Sequence, residues 1–165
     1  MKNLFFFLMF KVNGIFLFAQ SSIIQTFEYT DSLFKVGQIH YLELHFGFDH
    51  CGLLNDSVTN KTLYELGSFL KNHPNIVISI DCHTDSRGVD TLNLKLSEKR
   101  SIEIYRVLNQ KFGLDTTQIK TNGFGEKMPI VPDSYINQLN WTKEDQELLH
   151  RLNRRIIARI ITIRK

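Results

Sequence analysis

Residues 75–113, NIVISIDCHTDSRGVDTLNLKLSEKRSIEIYRVLNQKFG, place a strand, a loop and a helix in one stretch. From Asn75 to His83 every second residue is apolar, with Ile76, Ile78, Ile80 and Cys82 on one face, which is the period of a strand. From about Asp90 to Phe112 the period becomes helical, and Gly113 supplies a residue suited to the left-handed closing position. Working outward, Tyr41–Phe48 alternates with Leu42, Leu44, Phe46 and Phe48 on one face, predicting a second strand. Ser57–Asn72 has helical spacing at Leu63, Leu66, Phe69 and Leu70, with Ser57 as cap and Pro74 as stop. Gln118–Thr121 reads as a short strand ending in the turn Gly123-Phe124-Gly125. Thr142–Leu152 reads as a short helix opened by the capping pair Thr142 and Asp145. Arg155–Ile163 is the last strand. The order strand–helix–strand–helix–strand–strand predicts a single α/β (α+β) domain, with one layer of helices packed on a mixed sheet.

The chain has 165 residues, one domain's worth, and its 42% hydrophobic and 22% charged residues exclude collagen, low-complexity disorder and a coiled coil. Six of its 13 Phe fall in the first 18 residues, beside Lys2 and Lys11 only. Lys2, the apolar runs Leu4–Phe10 and Ile15–Phe18, and the small residue Ala19 before polar Gln20-Ser21-Ser22 predict a secretory signal over residues 1–19. Lys11 and Asn13 argue against a membrane span. Without residues 1–19, 18 basic residues face 17 acidic ones, a net charge of +1 that gives no general field toward nucleic acid. Residues 20–38 show no clear period and are expected as a linker or irregular edge segment. Two cysteines, Cys51 and Cys82, are too few for a disulfide scaffold or a closed thiolate metal site, and are expected as small semi-buried residues.

The loop 80–88 and the following helix carry the chemistry. With Leu96 set at zero and about 100° per residue, Arg100 falls near 40°, between Val107 and Ile104, and Asn93 near 60°. A guanidinium in that stripe needs a partner, because burying a lone charge is expensive. Helical side chains lean toward the helix N-terminus, so Arg100 aims at Asn93 and the loop holding Asp85. The helix start, with its free N–H groups, also suits a carboxylate. Asp85 and Arg100 therefore form either a closed internal salt bridge, or an open pair in which Asp85 takes an ammonium and Arg100 grips a carboxylate.

Four motifs carry a resemblance: Thr84-Asp85-x-x-Gly88, Asn93-x-x-Leu96-Ser97-x-x-Arg100, Gly123-Phe124-Gly125-Glu126-x-x-Pro129 and Asn153-Arg154-Arg155. Together they resemble the OmpA-like peptidoglycan-binding domain of outer-membrane porins, peptidoglycan-associated lipoproteins and flagellar stator proteins. The resemblance covers residues 39–165. It implies a βαβαββ domain with a four-stranded mixed sheet, to which this chain adds an extra short helix before the last strand. It also implies non-catalytic, non-covalent binding to the diaminopimelate of the peptidoglycan stem peptide, with no cofactor or metal. Asp85 and Arg100 match the family's ligand-binding aspartate and arginine, Thr84 and Asn93 its supporting polar positions, and Arg155 the arginine opening the last strand. A periplasmic location at the outer membrane or cell wall follows, with an outer-membrane protein as a further partner. Three departures stand out: Cys82 where glycine is frequent, Ser101 where alanine is frequent, and a long Pro129–Asn153 segment.

Other chemistries fit poorly. Cys82 and His83 are adjacent on a strand and point to opposite faces, which disfavours a thiol nucleophile with its base. His40, His45 and His50 alternate faces, which disfavours a metal site. No Lys-Ser/Thr follows Gly123–Gly125 at phosphate-loop spacing. Arg151, Arg154, Arg155 and Arg159 read as a solvated basic end. The rival function is an interaction module that docks onto another envelope protein and leaves the zwitterion site unused.

Overall fold

The computed structural model describes residues 25–47, 51–138 and 140–165, together with two two-residue strands, β1 (Lys11–Val12) and β2 (Ile15–Phe16), which pair antiparallel. The expected signal over residues 1–19 otherwise lies outside the described residues, as do Phe48 and His50. The body runs β3 (Ile39–Tyr41), α1 (Ser57–Asn72), β4 (Ile76–His83), α2 (Asp90–Phe112), β5 (Ile119–Gly125), α3 (Asp133–Ile136), α4 (Lys143–Asn153) and β6 (Ile156–Ile163). The sheet order is β3-β6-β4-β5. β4 and β5 are parallel, as a helical crossover requires, whereas β6 lies antiparallel between β3 and β4.

The helices cover one face of this sheet. Ile76, Ile78, Ile80 and Cys82 pack there with Leu63, Leu66, Leu70, Ile104 and Leu108 in the main core. Each such side chain fully buried contributes roughly 1.5–3 kcal/mol. The alternation of β4 holds, but all eight of its residues are buried, because the strand is central and both faces are covered. On the far face Asp81 is bonded by Ser79, by Asn122 at 3.1 Å and by Arg159 at 2.9 Å.

Four sequence expectations shift. The strand expected over 41–48 is a three-residue edge strand starting at Ile39. Leu42 and Leu44 still point inward, but the Leu42 amide bonds Ile156, the first residue of β6, so the ladder runs out there. Beyond it, Phe46 bridges to Leu53 instead. The cap of α1 is Asp56 rather than Ser57, its carboxylate accepting the Thr59 amide at 2.8 Å. β5 does not end at Thr121 but runs through Gly123 to Gly125 beside β4. The sequence places Arg100 in the middle of the apolar stripe of α2. Its buried residues are Asn93, Ser97, Ser101, Ile104 and Leu108, which puts half-buried Arg100 on the flank.

Residues 25–38 pack onto the body. Phe27 is fully buried against Phe69, with ring centroids 5.5 Å apart, and its amide bonds the Ile39 carbonyl. The Pro129–Asn153 segment closes a second, smaller core of Val131, Ile136 and Leu149, flanked by Trp141. Buried Asn153 staples it: its side-chain oxygen accepts the amides of Ile130 and Val131 at 2.8 and 2.9 Å. The capping box of α4 forms as expected.

Candidate functional site

β4 ends at His83, and the chain turns through Thr84–Val89 into α2. This loop is fixed from three sides. The Thr84 amide bonds the Gly125 carbonyl at 2.9 Å. From the first turns of α2, the Asn93 amide group donates to the carbonyls of Asp85 and Arg87 and to the Glu126 carboxylate, at 3.2, 3.3 and 2.6 Å. One turn later, the Ser97 hydroxyl accepts the Gly125 amide at 2.9 Å and so ties α2 to the end of β5. Thr84, Asp85 and Asn93 are thus brought together at one end of the sheet, all buried.

Asp85 does not close a salt bridge with Arg100. Among the described residues its ion-pair partners are Arg87, at 2.7 Å, and Arg154, at 2.5 Å. Its other oxygen accepts the Arg87 amide, in the loop rather than at the helix start. Burial alone would raise the Asp85 carboxyl; the hydrogen bonds from Arg87 and Arg154 outweigh it and hold the group below its ordinary value, so it is ionised. Both guanidiniums continue to Glu147 on α4, Arg87 at 2.8 Å and Arg154 at 2.6 Å. The four groups form a closed ring of alternating charge. Ser86 adds a hydrogen bond to Asp133 of α3 at 2.6 Å. Arg154 is therefore not part of a solvated basic end. Neither is Arg159, which pairs with buried Asp81.

The two remaining expected site residues are Arg100 and Arg155. The Arg100 guanidinium sits over the Phe46 ring, 4.8 Å from its centroid, and its charge is felt at Cys82. Arg155 follows Arg154 and directs its side chain to the carbonyls of Met128 and Asn153, while its own carbonyl accepts the His83 amide. Arg87, Glu126, Glu147 and Arg154 were missed as site residues. Arg87, Glu126 and Arg154 stood inside or beside the quoted motifs; nothing local singles out Glu147.

Cys82 is buried, and burial pushes its thiol up to about 12, far from a reactive thiolate. Cys51 and Cys82 are both free. His83 stacks on Phe124, with ring centroids 5.0 Å apart and planes 9° from parallel. Both of its ring nitrogens are buried with no hydrogen-bond partner among the described residues. Burial first, then the nearby Arg155 charge, push His83 down to about 4. The unfolded chain therefore takes up a proton near pH 6.5 that the folded chain refuses until about 4, so stability falls as pH drops through that window. We expect urea unfolding to show a loss of about 2 kcal/mol between pH 7 and 4.5. His83→Phe should flatten that window, and an equal loss in the variant would remove His83 as its cause.

A model of the OmpA family matches residues 46–140. Outer membrane porin F of Pseudomonas aeruginosa is 30% identical over 93 residues, covering 56% of this chain and 26% of the porin. The peptidoglycan-associated lipoprotein of Buchnera aphidicola is 39% identical over 71 residues, covering 43% of this chain and 40% of the lipoprotein. The chain thus matches less than half the length of either relative. In fold, it is similar to the crystal structure of the peptidoglycan-associated lipoprotein from Burkholderia pseudomallei. The TM-score is 0.52 at 23% identity, covering 71% of this chain and 86% of that one.

Proposed function

Since the chain belongs to the OmpA family, we propose that it binds peptidoglycan non-covalently and without catalysis, tethering an envelope component to the cell wall. The ligand is the diaminopimelate of the stem peptide, whose distal centre carries an ammonium and a carboxylate on one carbon. Asp85 takes the ammonium and Arg100 the carboxylate through two parallel hydrogen bonds. Asn93 and Thr84 hold the loop, and Arg155 lines the site from the start of β6. The observation that carries this reading is Asp85 itself. It is a buried yet ionised carboxylate at the family's aspartate position, in a loop pinned by the Asn93 side chain. Sites built to pair a polar group reject ligands that lack it.

Calorimetry with stem tripeptides ending in diaminopimelate or in lysine tests the assignment. The lysine side chain offers an ammonium with no carboxylate beside it. The diaminopimelate peptide is expected to bind at least about tenfold more tightly, since unpaired polar groups in such sites cost on the order of 1–3 kcal/mol. Equal affinities would overturn the reading.

Export belongs to the same proposal, and motivates it from the other end: the apolar, Phe-rich residues 1–19 end at Ala19. Mass spectrometry of the chain expressed with this leader is expected to find the mature terminus at or near Gln20, in the periplasmic fraction. An intact Met1 in the membrane fraction would replace cleavage by anchoring.

One observation favours the rival reading, a module docking on another envelope protein with its zwitterion site unused. Asp85 already holds two internal counter-ions.

A further inference from the structure

We propose that Arg87 is a specificity-determining residue of the Asp85 site, acting as an internal counter-ion that a simple amine must displace from Asp85 without offering the vacated guanidinium edge a new carboxylate. This rests on the stem-peptide reading above. Arg87 binds the Asp85 carboxylate through its Nε and Nη2 edge, at 3.1 and 2.7 Å, and Glu147 through Nη1, at 2.8 Å. Arg154 reaches the same Asp85 oxygen, Oδ2, with one nitrogen. The two arginines are not equally placed to leave. The Arg87 side chain is 52% exposed and that of Arg154 34%, whereas Asp85 is 8% exposed. Arg87 is thus the outer partner and the one an incoming ammonium meets.

An amine that takes its place on Asp85 separates an existing ion pair and leaves the Nε–Nη2 edge of Arg87 without a carboxylate. A zwitterion carries a carboxylate on the same carbon. As its ammonium moves onto Asp85, that carboxylate, gripped by Arg100, accepts in addition from the vacated edge through its remaining lone pairs. At the ring one ion pair opens and two form, besides the pair with Arg100. Glu147 keeps its bond to Nη1 throughout and holds the guanidinium within reach. The ring of Asp85, Arg87, Glu147 and Arg154 therefore selects against simple amines by competition, and it includes a residue of the inserted helix α4.

The test is calorimetry on the full mature chain with the diaminopimelate and lysine stem tripeptides, comparing wild type, Arg87→Gln, Arg100→Ala and Asp85→Asn. In Arg87→Gln the preference for diaminopimelate is expected to shrink from at least about tenfold to within about threefold, chiefly because the lysine peptide binds better once its competitor is gone. Asp85→Asn should lose both peptides. An Arg87→Gln variant that keeps the wild-type preference, or that weakens both peptides as Asp85→Asn does, overturns the proposal. If preference then vanishes only in Arg100→Ala, the stem-peptide reading stands and the role of Arg87 falls. If wild type shows no preference, both fall. A ligand-free readout accompanies it: the Asp85 carboxyl, followed by NMR titration, is expected to move upward in Arg87→Gln, and an unmoved midpoint also overturns the counter-ion role.

Discussion

Arg100→Ala is expected to abolish sedimentation with purified sacculi while leaving the protein folded. The half-buried guanidinium lies on the flank of α2 over Phe46, outside the helix's buried stripe of Asn93, Ser97, Ser101, Ile104 and Leu108. Its removal opens no core cavity, and alanine suits a helix interior. The cation–π contact to Phe46 is worth about 0.5–1 kcal/mol. Binding is another matter. Truncating one side of a desolvated charge pair typically costs about 2–5 kcal/mol, on the order of 30-fold or more in affinity. Urea unfolding close to wild type, with no protein in the sacculus pellet, is the expected pair of results. Arg100→Lys should fall between, because an ammonium keeps the charge but loses the fork that grips a carboxylate twice. An alanine variant that pellets at wild-type levels removes Arg100 from the site and moves the weight to the docking module.

Gly123→Ala is expected to destabilise the fold by on the order of 3 kcal/mol or more, at the upper end of overpacking costs. α2 crosses β5 so closely that a Cβ built on Gly123 would lie 2.6 Å from the Glu98 Cα, and nearer still to its amide nitrogen. The obstacle is helix backbone, which cannot rotate aside as a side chain would. Relief requires α2 to move off the sheet, which loosens Ser97 from Gly125 and Asn93 from the Asp85 loop. Stability and ligand binding should therefore fall together. The melting temperature is expected to drop by about 6–12 °C, at roughly 2–4 °C per kcal/mol for a chain of this size. Gly52→Ala, where the added methyl meets nothing within 4 Å, is the control and should melt like wild type. Identical melts for both variants would show that the α2–β5 approach is not a constraint.

Local elements were the most legible part of the chain. Helix α1 and helix α2 follow from apolar spacing and from their stops at Pro74 and Gly113, the latter in the left-handed conformation at φ 67. Periodicity puts Ile76, Ile78, Ile80 and Cys82 of β4 on one face and says nothing of the depth of the other. Ser79, Asp81 and His83 on that other face are buried because β5 and β6 flank the strand and Arg159 and Phe124 cover it. The edge strand near residue 41 was overextended for the converse reason. Alternation in Leu42, Leu44 and Phe46 reports which side faces the core, and says nothing of where a partner strand stops donating hydrogen bonds.

By itself the sequence determined the order of the sheet strands and of α1, α2 and α4, the mixed sheet under one layer of helices, and the loop where Thr84, Asp85 and Asn93 meet, but not α3. Each of these depends on residues within a few positions of one another, or on motifs in a set order. Only the tertiary structure decided what Asp85 pairs with. Arg154 lies 69 residues from it, and Glu147 lies 60 residues from Arg87. No local period links such positions; they become neighbours when α4 packs beside the loop and β6 inserts antiparallel between β3 and β4. An ion pair answers to distance and burial, and for groups so far apart in the chain both are set by the closed fold.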